Sequence, residues 1–181
     1  MSLGISMIVP LIFELILNES NIKNFLTCML FTLFIGISLI FGFRIKGEKI
    51  NIKDTILITT LSWPILVIFS SLPLYFDNNI INFADAFFES TSGLTTTGAS
   101  IYSEVEKLSV GILVWRSILQ WIGGLGIIIF AIAIIPIYNM GGMKLFTQDW
   151  SEKSQTLNYR SKELAKLLGS IYISFTFLIF I

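Results

Sequence analysis

Residues 83–100 read FADAFFESTSGLTTTGAS, and this stretch decides the fold. Asn82 precedes an apolar helical face of Phe83, Ala86, Phe87 and Ser90, and Asp85 follows Asn82 by three residues. That order predicts a helix over 83–93 with Asn82 as N-cap and a carboxylate in the first turn, where the helix dipole favours negative charge. Ending at Gly93, it has about three turns and a length of roughly 16 Å, too short for a hydrocarbon layer of about 30 Å. A re-entrant half-helix fits, with a C-terminal partial negative charge that suits a cation held just beyond it. Residues 94–99 follow, with threonine at 95, 96 and 97 and glycine at 98. Such a run makes a poor helix, and irregular backbone at membrane depth survives only where it lines water or is buried in protein. A ring of backbone carbonyls can replace a cation's hydration shell. Gly98 allows the dihedrals that turn carbonyls inward, and threonine hydroxyls add oxygens of the same hard type. Composition alone leaves a second reading open, a polar turn that coordinates nothing.

The rest of the chain gives this segment its setting. Of 181 residues, 54% are hydrophobic and 13% charged, about half the charge of a soluble domain; mean hydropathy is +0.81. Four apolar segments approach or meet the length of a membrane span. They are 1–17 (short, with Pro10 and Glu14 inside it), 24–43, 55–76 with Pro64 and Pro73, and 108–136; a fifth opens near Leu167. Residues 1–17 lack a basic n-region and a small-residue cleavage site, so they do not read as a signal peptide. Cys28 is the single cysteine and histidine is absent, which excludes an internal disulfide, a cysteine metal cluster, histidine triads and HExxH zinc sites. The net charge of zero gives no global field toward nucleic acid, and none is expected as a partner.

Orientation follows from lysine and arginine in the short loops. Arg44, Lys46, Lys49 and Lys53 follow the second span; Lys144, Lys153, Arg160, Lys162 and Lys166 follow the fourth. Only Lys23 and Lys107 lie on the other side, nine against two. The basic loops and the N-terminus are therefore expected in the cytoplasm, and residues 77–107 outside. That outer segment carries Asp77, Asp85, Glu89, Glu104 and Glu106. It reads as an acidic vestibule that concentrates cations or as an ordinary solvated loop.

The run DAFFESTSGLTTTGAS, then WRSILQWIGGLGIIIFAIAIIP, then MGGMKLF, resembles the TrkH-type pore-forming subunits of the Trk/Ktr/HKT superfamily of potassium transporters, over nearly the whole chain. The resemblance implies an all-α integral membrane protein of the bacterial plasma (inner) membrane. In that family four non-identical helix–pore-loop–helix repeats surround one pore, and TrkH proteins carry two additional helices first. On that template residues 1–43 are the two N-terminal transmembrane helices and 44–54 a basic cytoplasmic loop. Residues 55–136 are the first repeat, with pore helix 83–93 and filter 94–99. A cytoplasmic loop covers 137–166, with 139–166 as its contact surface, and 167–181 begins the second repeat. By the same resemblance Thr96 and Thr97 contribute oxygens to potassium sites, flanked by Thr95 and Gly98, and the filter glycine implies potassium preference over sodium. The complete protein is expected to dimerise among membrane lipids and to bind a cytosolic nucleotide-binding regulatory subunit (TrkA-like). The basic charge of the 137–166 loop fits that contact and the positive-inside rule equally.

Arg116 lies inside the fourth span, where an arginine is costly unless paired or hydrated. Pairing with Glu89 or with pore-helix carbonyls, to brace the filter, is expected over a direct place in the ion path, since fixed positive charge repels potassium. Gly123, Gly124 and Gly126 lie in a continuous apolar run with no preceding strand, so they read as helix-packing positions and not as a nucleotide loop. Glu14 reads as a residue near the outer interface before it reads as a proton relay. Trp63, Trp115 and Trp121 read as packing or interfacial residues, and Thr60 and Ser62 as partners for backbone freed at Pro64. One repeat supplies one quarter of a filter, so the chain encloses no pore by itself unless four copies assemble. From Lys166 fifteen residues climb only about 22 Å, and a piece of a longer transporter is the expectation. A non-conducting scaffold is the alternative; without histidine, a cysteine pair or an intramembrane aspartate dyad, an enzyme is not expected.

Overall fold

A computed structural model describes residues 1–42, 52–77, 82–138 and 150–180. Among them every regular element is helical: α1 Ser2–Ser6, α2 Ile8–Leu17, α3 Ile22–Gly42, α4 Ile52–Tyr75, α5 Phe83–Leu94, α6 Val110–Tyr138 and α7 Trp150–Phe180, with a single 3₁₀ turn at Val105–Lys107. Among the described residues three stretches are long and apolar enough to cross a membrane, Ile22–Gly42, Leu57–Tyr75 and Val110–Ile128. Large apolar side chains of these stretches such as Leu30, Phe34 and Leu61 point outward, as they do where lipid is the solvent. The chain is a multi-pass membrane protein. The basic loop expected over 44–54 lies outside the described residues up to 51, and the loop expected from 137 lies outside them over 139–149.

The first apolar segment is two helices. Pro10 offers no N–H to the Ser6 carbonyl four residues earlier and its ring crowds that carbonyl; α1 ends at Ser6 and α2 begins at Ile8. Glycine notches seat α1 on α3. A Cβ at Gly4 would stand 2.8 Å from Leu33 Cγ, and one at Gly36 2.7 Å from Met1 Cγ. By contrast α4 runs unbroken through Pro64 and Pro73. Serine hydroxyls bind carbonyls near both prolines: Ser62 to Thr59 (2.7 Å), Ser70 to Val67 (3.1 Å) and Ser71 to Ile68 (2.8 Å), a normal way of holding backbone polarity inside lipid. Ser62 thus serves Thr59 and not the Thr60 carbonyl that Pro64 deprives of its helical donor.

Two compact units divide the chain, Met1–Gly123 and Gly124–Ile181. In the first, Met7, Phe25, Leu74, Ile112, Trp115 and Leu119 form a fully buried centre. Trp115 meets Phe25 edge-to-face at 6.5 Å and donates its indole N–H to the Ser70 carbonyl at 3.0 Å, so the ring buries apolar area while its polar edge stays satisfied. In the second unit α7 starts well before the apolar run expected at Leu167. Between Trp150 and Lys166 there is no glycine or proline, and Glu152, Lys153, Gln155, Leu157, Glu163 and Ala165 favour helix, so residues 150–166 form its first half. A Cβ at Gly124 would stand 2.6 Å from the Tyr172 hydroxyl.

Candidate functional site: the loop after the short helix

Asn82 caps α5 with its side-chain oxygen, accepting from the Asp85 amide at 2.9 Å. Asp85 lies in the first turn, where it complements the dipole. The helix ends at Leu94, one residue beyond the expected Gly93. Thr97 N–H donates to the Ser92 carbonyl at 3.0 Å and Thr96 N–H to the Gly93 carbonyl at 3.0 Å. This nested pair is a Schellman motif with Thr96 at the left-handed position, φ 56°. Glycine normally occupies that place; a β-branched residue there costs about 1–2 kcal/mol. Gly98 has φ 77°, and a Cβ on it would meet nothing within 4 Å. Its need for glycine is therefore conformational and not steric.

Thr95, Thr96, Thr97 and Gly98 are all exposed and consecutive beyond the negative end of α5. The Thr95 hydroxyl donates to the Thr91 carbonyl at 2.8 Å and lies 2.7 Å from the Thr97 hydroxyl. Ser92 Oγ donates to the Ala99 carbonyl at 2.5 Å, tying the far side of the loop back to the helix.

The structure brings Glu89 and Arg116 together. Arg116 Nη1 donates to Glu89 Oε1 and to Ser100 Oγ at 3.0 Å. Glu89 also accepts from Ser100 Oγ (2.9 Å) and from the Ile101 amide (3.0 Å). The Glu89 side chain is 1% exposed and that of Arg116 15%. The Arg116 guanidinium stands 5.5 Å from the Tyr102 ring centre, within cation–π range. One buried carboxylate thus joins the middle of α5, the chain leaving residues 95–98 and α6.

Burial, and then the Asp77 carboxylate, hold the Tyr102 phenol well above its ordinary pKa. Its hydroxyl is buried without a hydrogen-bond partner among the described residues. Three of the five acids of this segment are engaged internally: Glu89 with Arg116, Glu104 with Lys107 (2.5 Å), and Asp77 with the Asn21 amide group (3.1 Å). Glu89 and Asp77 are buried in the protein, whereas the Glu104–Lys107 pair is exposed.

Glu14 is fully buried in the protein. Its carboxylate accepts from the Asn21 backbone amide at 3.1 Å and from the Gly111 amide at 3.0 Å, so a residue of α2 serves one donor at the start of α3 and one orphan donor at the start of α6. Asn21 extends the cluster to Ser109 Oγ at 3.0 Å. The sequence carried one signal for it, an acid inside an apolar helix, but no signal for its partner. Of the tryptophans, Trp115 is buried packing, Trp63 is half-buried and Trp121 is exposed.

A family model described as TrkH, cation transport protein, matches residues 21–181. The chain is 38% identical over 176 residues to the Trk system potassium uptake protein TrkH of Vibrio parahaemolyticus, covering 96% of this chain and 36% of that protein. It is 36% identical over 174 residues to TrkH of Escherichia coli K12, covering 94% and 36%. To TrkI of Halomonas elongata it is 45% identical over 124 residues, 67% of this chain and 25% of that protein. The crystal structure of the potassium transporter TrkH from Vibrio parahaemolyticus superposes with a TM-score of 0.79 at 36% identity, covering 97% of this chain and 35% of that one. The chain therefore spans between a quarter and about a third of the length of these relatives. Theirs is a family of transport proteins, not of enzymes. By family match and by fold, the chain belongs to the TrkH family of cation transport proteins.

Proposed function

We propose that the chain forms part of a potassium-uptake system of the bacterial plasma membrane and supplies one quarter of its selectivity filter. Thr95, Thr96, Thr97 and Gly98 line the ion path, with Thr96 and Thr97 providing potassium oxygens. The observation that carries this reading is the loop itself. Four exposed residues with two left-handed backbone positions, Thr96 and Gly98, follow the negative end of a helix too short to span. Glu89 and Arg116 hold that loop from behind and act as its support. Residues 55–136 act as a helix–pore-loop–helix repeat, preceded by two accessory helices and followed by the start of a second repeat. The basic loops and the N-terminus face the cytoplasm. The partners are the remaining repeats, a second copy of the transporter and a cytosolic nucleotide-binding regulatory subunit of the TrkA kind. Relatives named as potassium uptake proteins support the substrate.

The test is rubidium and sodium influx through the full-length gene product in cells lacking potassium uptake. Gly98→Ser is expected to raise sodium entry relative to rubidium, because serine resists the left-handed backbone that aims the carbonyls. An unchanged ratio at equal membrane abundance defeats the filter assignment, and no rubidium uptake by the unsubstituted protein favours a scaffold.

A further inference from the structure

The contact between α6 and the last turn of α5 is made backbone to backbone at one place. A Cβ at Gly123 would stand 2.1 Å from the Leu94 carbonyl oxygen, 2.7 Å from its carbon and 3.0 Å from Leu94 Cα. No side-chain rotation relieves such a clash, because the atoms met are main chain. Four residues earlier on the same face of α6, Leu119 packs on Gly93, where a Cβ would lie 3.1 Å from Leu119 Cβ. Leu94 is buried to 1% exposure and precedes Thr95 directly. Its carbonyl is therefore the last fixed point of the helix before the exposed loop. Gly124, by contrast, would meet only the far end of the Tyr172 side chain.

We infer that Gly123 is a positioning residue for the filter, setting the height and tilt of the Leu94 carbonyl from which Thr95–Gly98 spring; this rests on the filter reading above. A carbon and a carbonyl oxygen approach to about 3.3 Å at closest. A methyl at 123 therefore drives Leu94 and α6 apart by about 1 Å, and displacements of that size at a functional centre cost on the order of 100-fold. Selectivity is the sensitive readout, since carbonyl spacing decides how well an ion's hydration is replaced. A glycine that merely let two helices pack would change abundance and not the ratio of ions carried.

The experiment compares Gly123→Ala, Gly124→Ala and Gly98→Ser with the unsubstituted full-length gene product, measuring rubidium and sodium influx at matched membrane abundance. Gly123→Ala is expected to lower rubidium influx by about tenfold or more and to lower the rubidium-to-sodium ratio; Gly124→Ala is expected to keep that ratio. If Gly123→Ala carries ions with the original ratio while Gly98→Ser shifts it, the positioning role is wrong and the filter stands. If neither shifts it, the filter reading falls and this inference with it. Should Gly123→Ala fail to accumulate, Gly93→Ala decides. It presses on the same contact by a few tenths of an ångström from the other side, and its ratio is expected to fall measurably, whereas an unchanged ratio overturns the inference.

Discussion

Glu14 and Gly111 lie 97 residues apart in sequence and are joined by a hydrogen bond of 3.0 Å from the Gly111 amide to the Glu14 carboxylate. The same carboxylate takes the Asn21 amide, so the start of α3 and the start of α6 are held on one side chain of α2. A glutamine here keeps one acceptor and turns an NH₂ toward a backbone donor. Glu14→Gln is expected to cost about 2 kcal/mol, read as a lower denaturation midpoint in detergent. A midpoint equal to that of the unsubstituted protein removes Glu14 from this role.

Glu89 and Arg116 are coupled through contact and through Ser100. Removing either partner leaves the other poorly compensated in a buried place, at roughly 3–5 kcal/mol. Glu89→Gln and Arg116→Gln are each expected to cut ion uptake sharply, and the double variant to be little worse than either. Additive losses in the double-mutant cycle contradict the coupling.

Tyr102 is held neutral by burial and by Asp77, so the folded state keeps the phenolic proton at pH values where the unfolded chain releases it. Stability is therefore complete below the ordinary phenol pKa of about 10 and declines as pH rises above it. Because the hydroxyl has no hydrogen-bond partner among the described residues, Tyr102→Phe is expected to be neutral at pH 7, while the ring over Arg116 is kept. Melting curves between pH 8 and about 11 should show a smaller alkaline decline in the variant; equal declines would remove Tyr102 as a source.

Thr96 and Thr97 offer an internal comparison, since only Thr96 has positive φ. Glycine at 96 relieves about 1 kcal/mol of backbone strain, offset by about 0.5–1 kcal/mol of added freedom in the unfolded chain. Thr96→Gly is expected to leave the stability unchanged or higher, and Thr97→Gly to lower it by about 1 kcal/mol. The opposite order shows that the left-handed turn is not at 96.

The start of α5 was legible because capping is local: Asn82 and Asp85 suffice. Its end was legible only to within a residue, because the usual signal for a left-handed cap is glycine and the chain places Thr96 there, with Gly98 two positions on in a separate turn. Gly123 could be read as a packing residue, but not as facing Leu94, since periodicity fixes a helix face and not its neighbour. The burial of Glu14 depends on Gly111, far along the chain, and no local pattern encodes it. The early start of α7 was hidden for another reason. Hydropathy marks where a helix becomes apolar, and α7 begins in a charged, helix-favouring stretch.

Ser92 fastens the loop at both ends, its carbonyl taking Thr97 N–H and its hydroxyl holding the Ala99 carbonyl. Much of the loop's shape is thus written into a cassette of about ten residues, closed by one serine through adjoining hydrogen bonds. A cassette of this kind carries its own curvature, so the helix can be set at another angle without the loop losing its shape. The outward apolar side chains of α3 and α4, such as Phe34 and Leu61, take no part in that closure.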